Sequence, residues 1–157
     1  MNLPHLPGLL STTLGVACAV TCLANPGEEE PSPAQVARDR VVAESLLRIK
    51  DIDITENVKL QGSVLRHAAT IRGQDKYFLL AQRFRIPSLD DDLFQLATSD
   101  PSGTAGVRSA QVLSAAGQLS RFIEALSSAE TSVAVGAATV LGHLDDAGIP
   151  VALASLV

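Results

Sequence analysis

Acidic and hydroxyl side chains alternate in the segment Asp51-Ile52-Asp53-Ile54-Thr55, which is the first place to look for chemistry. Asp51, Asp53 and Thr55 have the spacing of the oxygen ligands in a calcium-binding loop. Such a loop also requires glycine at its sixth position and glutamate at its twelfth, where this chain has Glu56 and Gly62. The pattern therefore fails at two of the positions that calcium binding needs.

The same segment resembles the Asp-x-Asp-x-Thr motif of the haloacid-dehalogenase-like phosphatases. The resemblance implies that Asp51 attacks phosphorus and that Asp53 handles the proton of the leaving group, with Asp145-Asp146 in place of later magnesium-binding acids. That motif must follow a buried strand. Here the preceding segment is amphipathic and helical, because it carries Glu44, Ser45, Arg48 and Lys50. We therefore interpret segment 51–55 as a loop without catalytic function. The alternative is that the protein is a secreted phosphatase using Asp51 and Asp53.

No other cluster of residues predicts a catalytic, cofactor or metal site. The three histidines, His5, His67 and His143, are isolated, and zinc requires three or four converging ligands. We expect surface or half-buried structural roles for them. No serine lies in a Gly-x-Ser-x-Gly turn, and Asp90-Asp91-Asp92 is typical of a solvated helix start. The chain is predicted not to be an enzyme.

Helices must position all of these residues. The first is predicted to open near Ser32 or Pro33 and to end near Lys50, and the second to run from Asn57 to Ile71. A third, from Gln74 to Arg85, stops before Pro87, and a fourth starts at 88–92. The apolar stripes of the first two are Val36, Val41, Val42, Leu46, Leu47 and Ile49, and then Val58, Leu60, Val64, Leu65, Ala68 and Ile71. The third carries Tyr77, Phe78, Leu80, Ala81 and Phe84.

The second half of the chain repeats one helical hairpin. One unit runs through 93–97, the turn 100–103 and 107–113 to Gly117, and the next through 122–126, 127–130 and 135–142. Ala138 lies 28 residues after Ala110, and Phe122 lies 29 after Leu93. An offset of 28 or 29 residues shared by the two units predicts a stacked array, in which neighbouring hairpins cover each other's apolar faces. The small residues expected at close approaches are Ala110, Ala137 and Ala138.

The second unit resembles a short HEAT repeat of bacterial type, on the pattern Ser128-Ala129-Glu130, Val133, Ala137, Ala138, Leu141, Gly142, Asp145, Asp146, Ala147, Ile149, Pro150, Leu153 and Leu156. The resemblance covers 90–157 and extends only loosely to earlier residues. It implies antiparallel helix pairs in a right-handed superhelix that binds proteins. The predicted fold class is thus all-α, a short right-handed array of helical hairpins, or HEAT-like alpha solenoid.

Segments 44–53, 57–60 and 64–67 are similar to helical regions of large secreted bacterial proteins in which HEAT-like repeats precede a c-type haem domain. Haem attachment needs Cys-x-x-Cys-His, whereas the only cysteines, Cys18 and Cys22, have three residues between them and Leu23 after them. No haem or other cofactor is predicted on this chain. An accessory role beside a haem-bearing protein stays a hypothesis.

Residues 1–24 are predicted to be an export signal. The stretch from Leu9 to Ala24 is uncharged and apolar, and it is shorter than the roughly 20 residues that a membrane-spanning helix needs. Cleavage after Ala24 would remove both cysteines, although the n-region has no Lys or Arg. Lipid attachment at Cys18 is the alternative. Residues 25–33, with three prolines and a glutamate run, predict a flexible acidic linker before a domain over 34–157.

Composition narrows the class of partner. The net charge is −5 and the basic residues are dispersed, which argues against nucleic acid. The array is predicted to be incomplete at its C-terminus, because it ends on apolar rather than polar residues. This possible interaction edge consists of Val151, Leu153, Leu156 and Val157. The sequence therefore predicts a secreted or periplasmic, non-catalytic scaffold, without a membrane span after cleavage, that binds a protein partner, further repeats or a second copy of itself.

Overall fold

The computed structural model describes residues 31–144, which form seven α-helices and no strand. The prediction of an all-α protein is therefore confirmed for the described part of the chain. The helices are α1 (Pro33–Arg48), α2 (Val58–Thr70), α3 (Asp75–Phe84), α4 (Pro87–Ser99), α5 (Thr104–Ala115), α6 (Leu119–Ala125) and α7 (Thr131–His143).

The helix ends follow local chemistry that the sequence displays. The Ser32 hydroxyl accepts from the backbone N–H of Gln35 at the start of α1, and the Asn57 side chain accepts from that of Leu60 at the start of α2. Pro87 occupies the first turn of α4, where its missing N–H costs nothing. Gly117 has φ 73° and closes α5, with its N–H donating to the Ser114 carbonyl. The predicted bounds of α1, α2 and α3 agree with these within two residues.

The helices pair mostly with their neighbours along the chain. α1 packs on α2, α4 on α5, and α6 on α7, while α3 contacts α1, α2 and α5. α7 also packs against α4 and touches α5, so the two C-terminal hairpins share a boundary. The largest fully buried apolar side chains are Tyr77, Phe78, Phe122, Leu80, Leu93, Leu113, Val64 and Val140.

A glycine allows a close approach between the C-terminal hairpins. A Cβ atom on Gly136 of α7 would collide with the backbone carbonyl of Thr98 on α4. Ala110 and Ala137 are buried as predicted. Ala138 is exposed, so the prediction of a close contact there is wrong. The helical rotation of α7 turns Gly136 and Ala137 inward and Ala138 to solvent.

Three other predictions of burial are wrong. Val58 is 79% exposed, Val41 is 64% exposed and Ile49 is 49% exposed, although the apolar stripes of the first two helices include all three. Val58 is the first residue of α2 and lies before the turns that pack. On α1 the inward face carries Asp39, Ala43 and Leu46, and Val41 lies off it. All five apolar residues predicted for α3 are buried.

The acidic run at the start of α4 links three neighbouring segments. Asp90 is buried, and its Oδ2 accepts from Gln118 Nε2 at 2.6 Å. Asp91 pairs with Arg121 of α6 at 2.7 Å. Asp92 pairs with Arg72 at 2.7 Å and accepts from the Tyr77 hydroxyl at 2.6 Å. The expectation of a solvated helix start is therefore wrong for Asp90, because the loop after α5 covers it.

Candidate protein-interaction surface

The exposed apolar side chains of α1 and α3 meet in an open groove of about 480 Å³. We call this surface the α1–α3 groove. Its described lining consists of Leu47, Ile49, Lys50, Leu79, Gln82 and Arg83. Three of these side chains are aliphatic, two are cationic, and none is a carboxylate.

The end of α1 positions one wall of the groove. Ile49 leaves the helix with φ −83° and ψ 119°, and its N–H still donates to the Leu46 carbonyl. The freed carbonyl of Ile49 accepts from Arg83 Nη2 on α3 at 3.1 Å. This bond ties the two elements together while the Ile49 side chain remains 49% exposed. Because its backbone is held in this way, Ile49 loses little further backbone freedom when a partner covers it.

The opposite wall comes from the outer face of α3. Gln82 and Arg83 lie three and four residues after Leu79, the spacing that places side chains on the same face of a helix as Leu79. Leu79 is 52% exposed, whereas its neighbours Phe78 and Leu80 are buried. The inward face of α3 is thus satisfied without Leu79, and the core does not explain this leucine.

The segment that resembles the phosphatase motif forms a turn between α1 and α2, in agreement with the loop interpretation. Asp53 Oδ1 accepts from the backbone N–H of Thr55 at 2.8 Å and from its hydroxyl, and these bonds lower the pKa of Asp53. Asp51 has φ 56° and lies three residues after the end of α1. A helix thus occupies the place where the phosphatase motif requires a strand. Asp145 and Asp146 lie outside the described residues.

The other predicted residues do not converge on a site. His143 is exposed at the end of α7, but His67 is buried inside α2, contrary to the expected surface or half-buried position. Among residues 31–144 no group of three or more His, Cys, Asp or Glu could hold a metal ion. Within the same range no helix has the length and apolarity needed to cross a membrane.

The predicted C-terminal edge, namely Val151, Leu153, Leu156 and Val157, falls outside the described residues, as do the predicted export signal and Cys18. The α1–α3 groove itself was not predicted from the sequence. The signal that could have revealed it is Leu79, a leucine that does not belong to the buried stripe of its helix.

Comparisons with known proteins give no match, whether with a family model, a curated protein or a solved structure.

Proposed function

We propose that this chain is an exported, non-catalytic scaffold of stacked helical hairpins, and that its α1–α3 groove binds an acidic, amphipathic segment of a protein partner. The observation that carries the proposal is the pairing of exposed Ile49 and Leu79 beside two cations, Lys50 and Arg83, with no carboxylate in the described lining.

The array part of this proposal has its support in the C-terminal hairpins. α4–α5 and α6–α7 have the same order of helix, short turn and helix, and equivalent residues recur at an offset of 28 or 29. α7 packs on α4, as expected when each hairpin covers the apolar face of the one before it. Two experiments test the array: light scattering at micromolar concentration, and truncation of the chain after Gly117, which removes the second hairpin. Truncation should lower stability, since stacked units lose stability with each neighbour removed.

Apolar contact supplies most of the expected affinity at the groove. Exposed leucine and isoleucine side chains on adjacent elements form the kind of contiguous apolar surface that marks an interaction site. An amphipathic helix laid into such a groove buries its apolar side chains at positions i, i+3 or i+4 and i+7.

Charge selects the partner. Lys50 and Arg83 line the groove without an acidic neighbour in the lining, so carboxylates of the partner gain attraction without displacing an internal ion pair. The expected partner segment therefore alternates apolar residues with Asp or Glu. Charges of this kind act mainly on the association rate and on the choice of partner.

A peptide selection tests the function directly. A library of random displayed peptides is selected on the full chain, and the enriched peptides are then measured against three variants. We expect Leu or Phe together with Asp or Glu in the enriched peptides. Leu79→Ser and Lys50→Glu should each weaken binding about tenfold or more, as interface residues of this kind do. Val135→Ser removes an equally exposed apolar residue from α7 and should leave binding unchanged.

Three outcomes would contradict the proposal. One is the enrichment of basic peptides, and another is binding that Val135→Ser weakens as much as Leu79→Ser does. The third is a dimer in light scattering that Leu79→Ser converts to a monomer, because a second copy of the chain would then be the occupant of the groove.

A further inference from the structure

A second groove, of about 370 Å³, lies further toward the N-terminus of α1 and contains a buried histidine. We call it the His67 groove. It is lined by Val36, Arg40 and Glu44 of α1, His67 and Thr70 of α2, Ile71 and Gln74 of the next turn, and Lys76 of α3. Cavities of this size take small organic molecules. The proposed scaffold function does not use it.

The hydrogen bonds of Thr70 assign the tautomer of His67. The Thr70 hydroxyl has one proton, and it donates that proton to the His67 carbonyl at 2.7 Å. Thr70 Oγ1 also lies 3.4 Å from His67 Nδ1. Since its proton is already used, Oγ1 acts as the acceptor there and Nδ1 carries the hydrogen. His67 Nε2 is then an acceptor, and it has no hydrogen-bond partner among the described residues although the side chain is only 5% exposed.

A charged triplet forms the mouth of the same groove. Glu44 Oε1 accepts from Lys76 Nζ at 2.6 Å and from Arg40 Nε at 3.3 Å. Glu44 Oε2 has no partner in the described chain, and the terminal nitrogens of Arg40 are also unbonded. The groove thus offers two acceptors, Glu44 Oε2 and His67 Nε2, beside two cations that share one carboxylate.

This arrangement suits a ligand that carries both a strong donor and an anion. We propose that the His67 groove binds a free α-amino acid with a small aliphatic side chain. Its ammonium group donates to Glu44 and His67, its carboxylate accepts from Arg40 and Lys76, and its side chain lies against Val36 and Ile71. A lone anion would leave both acceptors unmatched, and a lone amine would leave the cations unmatched.

The protonation state of the imidazole is consistent with this role. Burial lowers the pKa of His67, an effect partly opposed by Glu44 and reinforced by Arg40 and Lys76. The ring is therefore neutral at neutral pH and keeps its acceptor. Acidification adds a proton to Nε2, so affinity should fall as the pH decreases below neutrality.

Titration of the full chain with L-valine, followed by the imidazole resonances of His67 in NMR spectra, tests the proposal. Isovalerate lacks the amino group of valine and isobutylamine lacks its carboxylate, so they serve as matched half-ligands. We expect saturable shifts with L-valine at millimolar concentration and binding at least about tenfold weaker with each half-ligand, the loss associated with one charged hydrogen bond. The resonances of His143, which is exposed on α7, should not move.

Two surface variants localise the binding without disturbing the core. Glu44→Gln and Lys76→Gln should each weaken L-valine binding about tenfold, and Lys59→Gln, an equal loss of charge on the exposed start of α2, should not. Equal shifts with isovalerate would make the groove a general carboxylate site and overturn the proposal. Saturable binding that Lys59→Gln weakens as much as Lys76→Gln does, or an absence of saturable shifts, would overturn it as well.

Discussion

Two regions of this molecule hold their helices together in different ways. Between α1, α2, α3 and the start of α4, charged side chains bridge the helices, as in Asp39–Arg66, Glu44–Lys76 and Arg72–Asp92. Between α4, α5 and α7, small residues let the backbones approach, as at Gly106, Gly136 and Ala137. The first region depends on ionisation and the second depends on volume.

This difference teaches where each region can change. A buried carboxylate that is paired on both oxygens specifies one partner and one rotation of the helix that carries it. A glycine against a carbonyl specifies only a distance, and any added methyl group violates it. We therefore expect pH to affect the first region and side-chain volume to affect the second. The following predictions test whether the two regions differ in this way.

The largest effect is expected from Gly136→Ala. The added methyl group would collide with the Thr98 carbonyl of α4, so α7 must move away from its neighbour. Overpacking of this kind costs about 2–3 kcal/mol, although alanine is intrinsically the better helix former. Urea denaturation followed by circular dichroism measures the change in the free energy of unfolding.

Gly142→Ala is the matched control on the same helix. A Cβ atom at Gly142 has nothing within 4 Å, so only the helix preference changes and stability should rise by a few tenths to about 1 kcal/mol. If both alanine variants gained stability, small residues would not be what limits the approach of α7 to α4.

The next largest effect concerns Asp39 in the charged region. Asp39 is 1% exposed, and its oxygens accept from Arg66 Nε at 2.7 Å and Nη2 at 2.9 Å and from Gln35 Nε2 at 2.9 Å. The hydrogen bond from Arg66 is the main reason why the pKa of Asp39 is lowered to about 2. Asp39→Asn should cost about 2 kcal/mol at neutral pH, measured by urea denaturation.

The sign of the pH dependence follows from the lowered pKa. The unfolded chain binds the proton more readily, so the contribution of Asp39 is complete above pH about 4 and is lost as the pH falls toward 2. Asp39→Asn should remove that part of the slope. Glu56→Gln is the control, because Glu56 is an exposed carboxylate in the turn before α2. A slope that survives in Asp39→Asn would mean that other carboxylates carry the acid sensitivity.

A smaller effect is expected from His67 near neutral pH. Burial lowers the pKa of His67 in the folded state, whereas in the unfolded chain it stays near 6.5. The stability that the neutral ring contributes is therefore complete above about 6.5 and declines as the pH falls through that value toward the folded pKa. His67→Gln should flatten this part of the dependence of stability on pH, and His143→Gln should not. Thermal unfolding from neutral pH to about pH 5 measures both.

Much of the fold could be predicted from local signals. Ser32, Asn57, Pro87 and Gly117 mark helix ends by mechanisms that need no tertiary contact, and the helix bounds that they predict agree with the structure. The five buried residues of α3 follow from periodicity alone. The turn between α4 and α5 also lies where Asp100, Pro101 and Gly103 predict it.

The candidate sites could not be predicted in the same way, because each depends on which helices meet. Nothing near Asp39 in sequence reveals that Arg66, 27 residues later, accounts for its burial. His67 looks like one polar residue on an amphipathic helix until Glu44 and Lys76 are placed beside it. The burial of Asp90 likewise depends on Gln118, which approaches from the loop after α5.

The smallest effect is expected where periodicity was misleading. Positions 58 and 64 are both valines on α2, but Val58 is 79% exposed and Val64 is fully buried. Val58→Ala should therefore change the free energy of unfolding by less than about 0.5 kcal/mol. Val64→Ala should cost about 2 kcal/mol, because it leaves a cavity in the core that joins the two regions. Equal losses of unfolding free energy in urea denaturation would mean that the first turn of α2 packs as its apolar stripe predicts. Apolar contacts would then contribute more to the stability of the charged region than its ion pairs suggest.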